Sequence, residues 1–227
     1  MGKGNTFAGE LLAHLYNNTA LALIGDASGL QPSATAGSVY LSLHTADPGA
    51  AGNQTTSECA WTSYARVAVA RSGAGFTQSS QQVVNAADIN FPACTGGTET
   101  ATHWALGTAS SGTGKILHSG PLASGSKLFT ATTADTLTVP GNAFIVDDRV
   151  VAYAVPGVSL PTGLTAGVVY WVKTVSSNDI TLSTTQGGAT LDITAAGGGR
   201  LALSKQLAIS NGITPRVTAG QLVITEG

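Results

Sequence analysis

The spacing of hydrophobic positions changes along the chain. Between residues 6 and 24, Phe7, Leu11, Leu12, Leu15 and Tyr16 recur at helical intervals, which predicts a single helix over that span. Asn5 or Thr6 supplies its N-cap, Glu10 falls in its first turn, and Gly25-Asp26 ends it. The helix has two readings: an element packed on its own domain, or an arm docking on a neighbour through Phe7, Leu11, Leu12 and Leu15. Ser28 to Gly37 is polar and carries Pro and Gly, which predicts a loop.

From Val39 the period becomes two. Val39-Tyr40-Leu41-Ser42-Leu43-His44 alternates apolar and polar residues, and Asp47-Pro48-Gly49 follows as a turn. Tyr64 to Arg71, Val83-Val84, Ile89-Asn90-Phe91, His103 to Gly107 and Ile116 to Gly120 read as further strands, separated by Gly, Ser and Thr turns. Short strands with turn signals between them predict an all-β fold, a jelly-roll-like β-sandwich.

Segment 128–204 has a different texture. Thr136 to Val139, Arg149 to Tyr153, Val168 to Lys173 and Asp179 to Ser183 are strand patterns, the third rich in β-branched and aromatic residues. This predicts a small antiparallel β module inserted into the core, with Gly197-Gly198-Gly199 as a hinge at its exit. Leu207 to Ile209 and Gln221 to Thr225 then return as strands. The expected organisation is an N-terminal helix and arm (1–38), a sandwich core (39–127 and 205–227) and the inserted module (128–204).

Composition narrows the function. Charged residues make up only 10% of the chain, whereas soluble domains usually carry roughly 25%. Lys and Arg number 10 against 12 Asp and Glu, with no basic cluster, so binding nucleic acid by phosphate neutralisation is not expected. The longest near-apolar run, Ala20 to Ile24, falls far short of a membrane span, and no apolar stretch after Lys3 suggests a secretory signal. Surface charge normally keeps a free monomer apart from its copies, so a chain this poor in charge is expected to be covered by copies of itself or by a partner. Cys59 and Cys94 fit no zinc pattern and read as buried small apolar residues, with a disulfide as the alternative in an oxidising compartment.

No motif for catalysis emerges. His14, His44, His103 and His118 form no His-x-x-x-His pair, and no Gly-x-Ser-x-Gly elbow is present. Gly112-Thr113-Gly114-Lys115 lacks the spacing of a phosphate loop and leads into a strand. No two carboxylates stand out as the pair a glycan hydrolase needs. Neither a cofactor nor a metal is expected. Trp104 and Trp171 sit in apolar strands and read as core, whereas Trp61, in a loop with Tyr64 close behind, is the better contact candidate. Arg66 and Arg71 read as salt-bridge or interface groups.

Three phrases carry a resemblance: Val39 to Gly49; Gly52 to Glu58 with Tyr64 to Arg71; and Ile89-Asn90-Phe91-Pro92 with Thr102-His103-Trp104 and Ile209 to Arg216. Together they resemble a group of tailed-bacteriophage virion proteins that includes tail fibre proteins and capsid decoration, or cement, proteins. The resemblance covers 1–127 and 205–227; the segment 128–204 departs from it and is similar to a small β unit of phage appendages. It implies a non-enzymatic protein made in the bacterial host cytoplasm that decorates and stabilises the capsid exterior. Its partners would then be the major capsid protein and itself, as a dimer or trimer, with no membrane or nucleic acid. The alternative is a tail fibre or adhesin that binds a host surface glycan. Interface candidates are Phe7, Leu11, Leu12, Leu15, Trp61, Tyr64, Arg66 and Arg71.

Overall fold

The computed structural model describes residues 3–155 and 157–226. Met1 and Gly2 of the expected arm, and Gly227 of the last core segment, lie outside the described residues. The chain divides into two compact units, Met1–Gly120 with Leu207–Gly227, and Pro121–Gln206.

The first unit holds α1 (Asn5–Asn17), β1 (Ser38–His44), β2 (Val67–Ala70), β3 (Phe76–Ser79), β4 (Gln82–Asn85), β5 (Ile89–Asn90), β6 (Thr98–Ala101), β7 (His103–Gly107) and β8 (Ile116–Pro121). The second holds β9 (Ala123–Ala131), β10 (Leu137–Thr138), β11 (Arg149–Tyr153), β12 (Val169–Ser176), β13 (Asp179–Ser183) and β14 (Gly197–Ser204). The chain then returns with β15 (Leu207–Ser210), β16 (Arg216–Val217) and β17 (Val223–Thr225). The fold is all-β apart from α1, and among the described residues no helix is long and apolar enough to cross a membrane.

The first unit is assembled from small sheets: β2-β1-β7-β8, β17-β4-β3, β15-β6 and β16-β5. The last three each join a strand from the end of the chain to one from its first half, as in the antiparallel register Leu207↔Ala101. β1 is buried on both faces. Val39, Leu41 and Leu43 face one side, while Ser42 and His44, on the other, are equally inaccessible. Gln54 lies across the end of this sheet. Its amide donates to the Tyr40 carbonyl and accepts from the Ala109 N–H. A Cβ on Gly107 would sit 2.1 Å from the Gln54 side chain, so only glycine leaves room there.

The helix is shorter than the apolar spacing predicts. It stops at Asn17, and Asn18 adopts the left-handed conformation at φ 53°. Arg71 donates to the carbonyls of His14 and Leu15 at 2.8 and 2.7 Å, satisfying the acceptors that a helix end leaves bare. The Asn18 side chain also pairs with both backbone groups of Ser33, turning the chain away from the axis. The N-cap is Gly4, with no side-chain cap from Asn5 or Thr6, and Glu10 lies beyond the first turn.

In the second unit the strands close into an antiparallel barrel in the order β10-β13-β12-β11-β14-β9. Its interior is filled by Phe129, Leu137, Val150, Tyr170, Val172, Ile180, Leu182 and Leu201, so it is a packed core and not a channel. Gly197-Gly198-Gly199, expected as a hinge, instead forms the start of β14, paired with Ala131, Thr130 and Phe129. A Cβ on Gly197 would lie 2.5 Å from Pro161 N, and one on Gly199 2.6 Å from the Tyr153 carbonyl. The glycines are there so that neighbouring backbone can cross the strand closely.

Candidate interaction surfaces

The first question is whether any buried polar cluster is a reactive site. Ser42 and His44 meet at 2.8 Å between Oγ and Nε2, as a nucleophile and its base would. Both are fully inaccessible. Burial lowers the pKa of His44 despite the raising effect of its bond to the Thr56 carbonyl, which fixes the proton on Nδ1. Ser42 also lies 3.1 Å from the Ala105 carbonyl. The pair ties β1 to β7 and has no path to a substrate. Among the described residues no group of His, Cys, Asp and Glu is arranged to hold a metal ion. Cys59 and Cys94 are free and buried, and burial pushes the Cys59 thiol up to about 12.

Three of the sequence-predicted interface residues form one internal cluster. The Arg66 guanidinium grips Glu58 bidentately, Nε and Nη2 each 2.7 Å from a carboxylate oxygen. It also donates to the carbonyls of Ala109 and Gly112. The Tyr64 hydroxyl donates to the same carboxylate at 2.8 Å and accepts from the Leu43 N–H. Burial, then the neighbouring Glu58 charge, drives the Tyr64 pKa strongly upward. Trp61, expected to be the exposed contact, is only 3% accessible. Its ring packs edge-on against Tyr64 at 4.6 Å and against Phe91 at 6.3 Å. The expectation failed because the loop carrying Trp61 folds inward: Glu99 accepts from the N–H groups of Ala60 and Trp61 and draws that backbone against the unit. Trp104 and Trp171, read as core, are only half-buried; Trp171 carries the Arg149 guanidinium 5.5 Å from its ring centroid.

α1 presents two apolar stripes. Ala8, Gly9, Leu12 and Tyr16 are buried. A Cβ on Gly9 would be 2.6 Å from the Ser80 carbonyl, so the glycine sets how closely the helix approaches the turn between β3 and β4. Tyr16 packs on Phe76 at 4.9 Å and bonds to His118 Nδ1. His118 Nε2 reaches Glu226 at 2.8 Å, and Glu226 also pairs with Lys3. A carboxylate only accepts, so His118 Nε2 carries a proton directed at Glu226. The second stripe is Phe7, Leu11 and Leu15. Phe7 is 39% exposed and the two leucines are half-buried. Leu12, grouped with them from spacing alone, belongs to the core, and Arg71 caps the helix from inside the same unit.

After the helix, the apolar run Ala20 to Ile24 forms a loop whose base residue Leu21 is buried and whose residues 22–24 are exposed. Leu21 and Leu30 exchange both backbone hydrogen bonds at 2.9 Å, closing its base. Asp26 accepts from the N–H groups of Ser28 and Gly29, and a Cβ on Gly29 would collide with the Leu21 carbonyl at 2.1 Å. Leu23 stands at the tip, 79% exposed and at φ +59°, a conformation costly to a residue with a branched side chain. Leu30 is 49% and Ile24 39% exposed. The run is conspicuous in the sequence, but its spacing points to a helix, so the loop and its exposed leucine are not foreseeable from pattern alone.

A family model described as podophage GP4 fiber I protein gp80 matches residues 5–147, well over half the chain. The match takes in α1 and β1 to β10, and so runs past 128 into the barrel. No curated protein matches the chain.

Proposed function

The chain belongs to the podophage GP4 fiber I protein gp80 family, and from that premise we propose that it is a non-enzymatic component of a fibre-type appendage on the phage particle. That it is a phage virion structural protein follows from the family; the fibre role rests on the extent of the match, which spans most of the first unit and reaches into the barrel. In this reading the first unit makes assembly contacts and the barrel meets the host. The barrel receives and returns the chain at one end, where Ala123 pairs with Ser204. The loops 132–136 and 184–196, and the described residues of 154–168, lie at the other end. They are rich in Thr and Gly, with Asp135 and Asp192 their only charged residues. Hydroxyl-rich, nearly uncharged loops suit a host surface glycan better than a polyanion.

Capsid decoration is the second reading, favoured by one observation: the low charge of the chain, which suits a protein covered by a lattice of other subunits. Immunogold labelling of intact particles tests both. Label confined to the tail supports the fibre role. Label spread over the head overturns it in favour of decoration.

A further inference from the structure

The barrel carries its charges unevenly. Three adjacent strands, β11, β14 and β9, hold Arg149, Arg200 and Lys127 and no Asp or Glu, although the chain as a whole has a formal net charge of −2. The Arg149 guanidinium is stacked on the Trp171 ring. The Arg200 side chain is exposed and forms no ion pair with a described residue; its one hydrogen bond is a long 3.4 Å contact from Nη1 to Ser126 Oγ. In register, Arg200 faces Tyr153 on β11 and Leu128 on β9. The residues beside them in each strand, Ala152, Leu201 and Phe129, belong to the barrel core, so the row Tyr153–Arg200–Leu128 stands on the outer wall. We infer that this row is a subsite for a carboxylated sugar, with Arg200 holding the carboxylate and Tyr153 and Leu128 meeting the C–H faces of the glycan. It deepens, and rests on, the reading of the barrel as the part that meets a host surface glycan.

The surroundings of Arg200 match that ligand. Tyr153 is half-buried, and burial pushes its pKa up to about 12, so it stays a neutral phenol. Its hydroxyl has no hydrogen-bond partner among the described residues and is free to bond a sugar hydroxyl. Leu128 is 57% exposed. One step toward the loop end, Gly198 pairs with Thr130, whose side chain is exposed on β9. A Cβ on Gly198 would lie 3.3 Å from Val158 Cγ1, so Val158, reaching over from the loop after β11, borders the row on that side. Two inter-strand spacings, about 10 Å, separate Tyr153 from Leu128, a width that one or two pyranose rings span. A largely apolar surface with a few placed polar groups is the usual lining of a ligand site.

Charge selects the occupant. A guanidinium presents paired N–H donors that match a carboxylate bidentately. One guanidinium with one hydroxyl beside it balances a single negative charge, whereas a phosphate brings nearly two charges and three strong acceptor oxygens and would be left short of donors. A nucleic acid needs a run of cations along its backbone, and the row offers one. The barrel is closed, so these strands have no free edge on which an acidic peptide could pair. One carboxylate on an otherwise neutral glycan also agrees with the nearly uncharged loops at the same end of the barrel.

The test is a glycan array titrated with the purified full-length chain, carrying bacterial glycans with uronates or sialic acids, their carboxyl-reduced forms, phosphorylated and neutral glycans, and polyglutamate. Carboxylated glycans are expected to bind, and their carboxyl-reduced forms to bind at least about tenfold more weakly. Arg200→Gln should raise the half-saturating concentration at least about tenfold, and Arg200→Lys, which keeps the charge but not the fork, should lose part of that. Lys173→Gln, on β12, should change nothing. Arg200 is exposed, so Arg200→Gln should melt with the wild type, which separates a lost site from a lost fold. Binding confined to neutral glycans overturns the subsite and leaves the glycan reading standing. Preference for phosphorylated glycans, binding to polyglutamate as strong as to any glycan, or carboxylate binding indifferent to Arg200→Gln also overturns it. A chain that binds no glycan at all ends the glycan reading and the subsite together, whereas the fibre role stands or falls separately on immunogold labelling.

Discussion

Replacing Arg66 with Ala tests how far the first unit depends on an internal ion pair. The Arg66 side chain is only 3% exposed and that of Glu58 14%. Truncation removes both halves of a bidentate pair and the donors to the Ala109 and Gly112 carbonyls. It leaves a largely buried carboxylate with only the Tyr64 hydroxyl to satisfy it. Removing one partner of a buried pair costs about 3–5 kcal/mol, and because water reaches part of Glu58 we take the lower end, about 3 kcal/mol. Lysine keeps the charge but not the planar fork, so Arg66→Lys is expected to lose roughly half as much.

The assay must see one unit at a time, since a chain with two compact units need not unfold in one step. In a Trp171→Phe background the remaining fluorophores, Trp61 and Trp104, both report on the first unit. With a urea slope of about 2 kcal/mol per molar, Arg66→Ala should lower the midpoint by about 1.5 M. The double variant Glu58→Leu/Arg66→Met should lose less than the two single changes summed, because the burial cost disappears with both charges. A midpoint shift below about 0.5 M for Arg66→Ala, or strict additivity in the double variant, would refute the reasoning.

Two further predictions concern the C-terminal strand and the barrel. Burial alone would raise the pKa of Glu226, but hydrogen bonds from Lys3 and His118, with their charges, outweigh it and the net shift is downward. A carboxyl lowered by folding adds stability above its unfolded pKa and loses it as pH falls through the folded value; wild type should therefore melt above Glu226→Gln at pH 7, with the gap closing in acid. A gap that persists at pH 3 counts against the shift. In the barrel, Gly199→Ala places a Cβ 2.6 Å from the Tyr153 carbonyl and 2.7 Å from Leu160, and overpacking of this kind costs about 1–3 kcal/mol. Hydrogen exchange across Pro121–Gln206 should accelerate, whereas Gly73→Ala, with nothing within 4 Å, should leave its own neighbourhood unchanged.

Legibility followed the source of each element's stability. β1 and β13 carry their own alternation of apolar and polar residues, β7 and β11 are short apolar runs, and all four spans are close to those the pattern predicts. β9 and β14 have no such alternation: Ala-Ser-Gly-Ser-Lys and Gly-Gly-Gly-Arg are strands because they pair with each other over most of their length. The short β3 and β6 are likewise defined by their partners, β4 and β15. The end of α1 is set by Arg71, far along the chain, so spacing alone overruns it. Trp61 misleads for the same reason, because its burial comes from Glu99 and Phe91, which a local window does not contain.

The scarcity of charge is compounded by how the charges of the first unit are used. Arg66 and Glu58 staple one side of it, and Arg71 caps α1. Lys3, Glu226 and His118 join the two ends of the chain. Glu99 orders the backbone before Trp61, and Asp26 and Asp47 hold turns. Groups that normally hydrate a surface and hold copies apart are committed to internal bonds. What remains outside is largely Thr, Ser, Gly and Ala, with Phe7, Leu23, Ile24 and Leu30 and a few charges such as Asp88, Lys115 and Arg216 among them. A surface of that kind offers little electrostatic resistance to association with other protein.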